Sequence, residues 1–144
     1  MTLPLRQQWL FQLGCWTAFA AAALHVAAHV FSMSDLSPHA LAGMSLLAPD
    51  YVFSLPGLRQ PTYLTVVDGL SLSLPLLLAT IGAAGLAVAR HGNDDARLMR
   101  SVAGVFGIGL AALLVTSVAL FFSALTFALA LPALCFGLAC VPES

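Results

Sequence analysis

Residues 9–33, WLFQLGCWTAFAAAALHVAAHVFSM, run for 25 positions without one Asp, Glu, Lys or Arg. A helix needs about 20 such residues to cross ~30 Å of hydrocarbon, so this stretch predicts a membrane span. It is not uniformly apolar. His25 and His29 lie in its second half, four apart and therefore on one helix face.

The remainder of the chain calls for the same solvent. Of 144 residues, 60% are hydrophobic and 8% charged, with mean hydropathy +0.98. A soluble domain carries about 25% charged residues. There are five arginines, no lysine and no basic run, which excludes a nucleic-acid partner. Cys15, Cys135 and Cys140 form no CxxC pair and are read as small apolar packing residues. Arg6, an apolar run and Ala18-Phe19-Ala20 have the outline of a secretory signal. The run continues to Phe31, beyond the ~7–15 residues of a signal core, so an uncleaved first span is expected.

Four spans are expected, over about 8–33, 62–89, 98–118 and 123–141. Gly14, Ala18 and Ala22 form a thin stripe on the first, Gly82 and Gly85 on the second. Ala103, Gly104, Gly107 and Ala111 do the same on the third. Pro75 sits inside the second span, where neighbouring hydroxyls or helices must satisfy the carbonyl that it leaves free. Residues 98–141 are almost unbroken apolar sequence, too long for one helix, so a turn is placed near 120–123 by length alone. In the connection 34–61, Ser37-Pro38 opens a short helix too short to span, expected at the membrane surface. The predicted fold is an all-α transmembrane four-helix bundle, one integral membrane domain over residues 1–144, with that interfacial helix in its first outer loop.

Arg6, Arg90, Arg97 and Arg100 fall on one side of this layout and Arg59 alone on the other. The positive-inside rule then places both termini in the cytoplasm and the 34–61 loop outside.

Counting at 1.5 Å per residue from the outer ends puts His25 and Asp68 about 10 Å deep, with His29 one turn above His25. Ser71, Thr116, Ser117, Ser123 and Thr126 join the same outer half. An ionised carboxylate in hydrocarbon costs several kcal/mol, so Asp68 must be protonated, paired or wetted. Two readings follow. His25, His29 and Asp68 fix helix register by hydrogen bonding. Alternatively, with Ser71 and Thr116, they line a small-ligand or proton site, with catalysis left open and Asp35, His39 and Asp50 as its lid.

His25, His29 and Asp68 also form a recognised zinc-ligand set, but HxxxH lacks the glutamate of HExxH. Haem is disfavoured: same-face residues ~6 Å apart cannot bracket one ring. No cofactor is required by the pattern. The expected partners are the bilayer and either a larger membrane protein or a second copy of the chain.

LHVAAH (24–29), LPGLRQPTYLTVVDGLSLS (55–73) and LFFS (120–123) together give a late histidine in the first span, an Asp-Gly early in the second and an aromatic pair near the last turn. This layout resembles a family of small, uncharacterised four-span bacterial membrane proteins. The proline that closely follows the aromatic pair in that family is absent, since Pro132 lies well downstream. The resemblance implies four spans and carries no catalytic residue over.

Overall fold

A computed structural model describes residues 5–34, 63–91, 95–120 and 124–141, apart from the side chains of 32–34, 63–68, 70, 120, 124 and 125. These residues form four α-helices: α1 (Leu5–Ser34), α2 (Tyr63–His91), α3 (Ala96–Leu120) and α4 (Ala124–Cys140). No strand occurs among the described residues. The proposed interfacial helix, and Asp35, His39 and Asp50, lie outside them.

The helices start and stop where chemistry requires. Asp95 caps α3, its Oδ1 accepting from the backbone nitrogens of Arg97 (3.0 Å) and Leu98 (3.1 Å). Arg90 and His91 stand in the last turn of α2, complementing its negative end. α2 and α4 run unbroken through Pro75 and Pro132. In lipid this is tolerated because backbone groups freed by proline find partners on neighbouring elements.

All neighbouring helices run antiparallel, and paired contacts fix their registers. An ideal Cβ at Gly82 would lie 2.8 Å from the Phe19 ring and 3.0 Å from the Cys15 carbonyl oxygen, and one at Gly85 would meet Cys15 Sγ. This sets α1 against α2. Gly14 faces the Phe136 ring, and Gln7 Nε2 donates to the Val141 carbonyl at 2.6 Å, setting α1 against α4. Gly107 faces the Gly137 backbone, setting α3 against α4. α2 and α3 touch only lightly, near Gly85 and Phe106. Around the bundle the order is therefore α2, α1, α4, α3, with a loose seam between α3 and α2.

Extending these registers shows that the helices do not end together. The level of His25 and Ser71 is the level at which α3 stops and α4 starts. Below it four helices share ~25 Å; above it α1 and α2 continue as a pair for another ~12–13 Å. The polar layer lies two turns inside the ends of α1 and α2, as counting from the loop predicts, but at the rim of the four-helix section.

The core fills the inner part of that section. Phe11 and Phe106 both meet Phe136 edge to face, at 5.5 and 5.4 Å between ring centroids. Leu78, Met99, Ala103, Leu110 and Leu129 are buried around them. The thin faces expected at Gly14, Ala18, Ala22, Gly82 and Gly85 are buried. Ala111 is a correction: it is exposed, because α3 turns Ala103, Gly107 and Leu110 inward and leaves Ala111 one position off that stripe. Outward, Trp9, Leu76, Val105, Ile108, Phe127 and Leu134 are largely exposed. A coat of large apolar side chains around a packed centre suits hydrocarbon, not water.

Candidate functional site

The site forms where the C-terminal part of α1 passes the N-terminal part of α2. Pro75 has no N–H, and residue 75 is the position whose N–H would bond the Ser71 carbonyl in an uninterrupted helix. That carbonyl does not go without a donor. His25 Nε2 reaches it from α1 at 3.0 Å. A carbonyl oxygen only accepts, so the imidazole donates, and Nε2 carries the proton. The tautomer of His25 is thereby fixed, with Nδ1 the basic nitrogen of the neutral ring.

The Ser71 hydroxyl joins the same group. It lies 3.3 Å from His25 Nε2 and 3.5 Å from His29 Nδ1. One directional scheme satisfies all three contacts: His25 donates to the Ser71 carbonyl and, less closely, to its hydroxyl oxygen. The hydroxyl then donates to His29 Nδ1 over a distance at the long limit for such a bond. Both histidines and Ser71 are half-buried. A serine two turns from a lipid-facing end thus gathers two imidazoles of the neighbouring helix.

The other candidates are placed as follows. Asp68 belongs to α2, three residues before Ser71, and the antiparallel register puts its backbone level with His29. Its side chain lies outside the description. Thr116 is exposed and its hydroxyl donates to the Ala112 carbonyl of its own helix at 2.9 Å. Its neighbour Ser117 is buried and shares a 2.8 Å hydrogen bond with Thr126, tying the end of α3 to the start of α4. Among the described residues, no three His, Cys, Asp or Glu side chains gather closely enough to hold a metal ion.

A second polar position was not singled out by sequence. Gln7 is 3% exposed; its Nε2 holds the Val141 carbonyl, and its Oε1 is buried with no hydrogen-bond partner among the described residues. In sequence it reads as one more residue of a polar N-terminal flank. Only the register of α4 against α1 reveals that it ties the start of the first helix to the end of the last.

Ser117→Ala should lower stability in detergent by about 0.5–1.5 kcal/mol, the range for an interhelical hydrogen bond within a membrane. The thermal unfolding midpoint reads this directly. Thr116→Ala, one residue away, should leave that midpoint within error because its hydroxyl serves only its own helix.

Three helices, Leu5–Phe31, Ser71–His91 and Ala96–Ala119 in their apolar portions, are long and apolar enough to cross a membrane. α4, at 17 residues, is at the short end of what a span requires. Together with the apolar coat, these define a small helical integral membrane protein. No protein-family model, curated protein or solved structure matches the chain.

Proposed function

We propose that this chain is a structural or accessory membrane protein in which His25, His29 and Ser71 act as a clasp between α1 and α2. One observation carries this reading: His25 Nε2 lies 3.0 Å from the carbonyl that Pro75 leaves without its helical donor. An unsatisfied carbonyl in hydrocarbon costs several kcal/mol, so a donor there has a structural task whatever else it does. The chain sits in a bacterial inner membrane with its arginine-bearing end in the cytoplasm and the 34–61 loop outside, following the arginine distribution. It packs on a larger membrane protein or on a second copy of itself. The resemblance to four-span bacterial proteins supports the same architecture.

A second reading is supported by a separate observation. His29, one turn further out, approaches the same hydroxyl, and the register brings the Asp68 position level with it. Two imidazoles and a carboxylate at the rim of the bundle would suit a proton, a small polar ligand or zinc.

The two are separated by substitution combined with metal analysis. On the clasp reading, His25→Ala lowers the unfolding midpoint in detergent, and the purified wild type contains no stoichiometric metal and no Soret band. Stoichiometric zinc or iron that is lost in a folded His29→Ala or Asp68→Asn protein replaces the clasp with the ligand site.

A further inference from the structure

The back of α1 differs from the other lipid-facing surfaces of the bundle. Phe11, Cys15 and Ala18 point inward and are buried. Half a turn away, Leu5, Trp9, Gln12, Trp16, Ala20 and Ala23 make one exposed stripe. Counting from Arg6 puts Gln12 ~9 Å and Trp16 ~15 Å along the helix, the latter near the middle of ~30 Å of hydrocarbon. Packing agrees with that depth. Phe11, beside Gln12, and Phe106 lie 3.7 and 3.6 Å from an ideal Cβ at Gly85, well before the Arg90 end of α2.

A polar group at this level needs a partner. Thr80 and Thr116, also exposed on their helices, have one. Their hydroxyls donate to the Leu76 and Ala112 carbonyls at 2.7 and 2.9 Å. The Gln12 amide and the Trp16 indole N–H make no hydrogen bond among the described residues. Trp16 is 60% exposed one turn deeper than Gln12, where an indole N–H has no headgroup to meet. Two unsatisfied polar groups therefore share one lipid-facing stripe of one helix.

We propose that this stripe is the interface of a symmetric dimer, with the two Gln12 amides paired across a two-fold axis along the membrane normal. Charge complementarity selects a second copy of the chain as the occupant. A primary amide carries both donors and an acceptor, so it satisfies its own copy: each Nε2 donates to the other Oε1. Copies inserted the same way bring Gln12 to the same depth, and a two-fold contact sets this surface against itself. Trp9 and Trp16 flank the amide pair with large side chains. Ala20 and Ala23 keep the stripe thin further along, so that two backbones can stay close. The dimer rests on the accessory-protein reading for the premise that the chain has a protein partner. The clasp lies on the α2-facing side of α1, so the two fail separately.

Sedimentation equilibrium of the full chain in density-matched detergent, over a range of protein-to-detergent ratios, should show a reversible monomer–dimer equilibrium. Gln12→Leu should weaken it about tenfold, with an unfolding midpoint no lower than that of the wild type. Gln12→Asn, which keeps the amide, should dimerise more tightly than Gln12→Leu. His25→Ala and Thr116→Leu should dimerise as the wild type does. A wild type that is monomeric at every ratio, or a Gln12→Leu dimer as tight as the wild type's, overturns the proposal. If Gln12→Leu does not fold, oxidative cross-linking in membranes decides. Ala20→Cys should give a product of twice the chain mass that the wild type lacks. Ile108→Cys, on α3 diagonally across the bundle, should not. No such product, or equal products from both positions, removes the interface. A product with a different protein gives this face to that protein and also overturns the dimer.

Discussion

Gly82→Ala should destabilise the protein by about 1–3 kcal/mol, the usual cost of overpacking a tight contact. The added methyl would lie 2.8 Å from the Phe19 ring and 3.0 Å from the Cys15 carbonyl oxygen. The ring can swing, but the carbonyl belongs to the α1 backbone, so α1 and α2 must move apart. Gly85→Ala adds a clash with Cys15 Sγ, whose residue is fully buried. Gly69 and Gly109 provide the comparison, since no described atom lies within 4 Å of an ideal Cβ at either. Alanine there should be neutral or slightly stabilising, because it improves helix propensity without meeting a neighbour. Thermal unfolding of the four single variants in one detergent checks the pattern. Equal losses at all four positions would mean that α1 and α2 do not approach as described.

The second large effect concerns His25 and Pro75 together. His25→Ala removes the donor to the Ser71 carbonyl and should cost about 1–3 kcal/mol, the penalty for orphaning a buried acceptor. Pro75→Ala supplies that carbonyl with an N–H from its own helix. In the Pro75→Ala background, His25→Ala should therefore cost about 1 kcal/mol less, a coupling that a double-mutant cycle measures. If the two substitutions are additive, His25 serves something other than the proline-vacated carbonyl. A retained cost in the double variant larger than packing explains would direct attention to His29 and Asp68.

Much of this arrangement is legible in the sequence. The ends of the four described helices fall within about three residues of the apolar segments, because apolar length and polar flanks both delimit a helix in this chain. Gly82 and Gly85 announced a close crossing. Pro75 announced a carbonyl in need of a donor four residues earlier. What could not be read was the partner. Which residue of α1 comes level with Ser71 depends on packing between helices, and no local pattern encodes it. Residue counting puts His25 and Thr116 in one polar layer without saying which of them reaches a neighbouring helix. The structure separates them, since one crosses to another helix and the other bonds its own. The same holds for Gln7, whose burial depends on α4 arriving from 134 positions away. The α3–α4 turn was placed by length alone, and residues 121–123 lie outside the described structure.

The order of helices around the bundle has a consequence for biogenesis. α1 and α2 can close on one another as soon as both have left the ribosome, with the His25–Ser71 contact already complete. α3 then has little to hold it, because its contact with α2 is slight. Only when α4 emerges do the two halves acquire a shared surface, since α4 alone packs closely on both α1 and α3. The shortest helix is thus the keystone of insertion, and a nascent chain lacking it would be a finished hairpin beside an unattached third span.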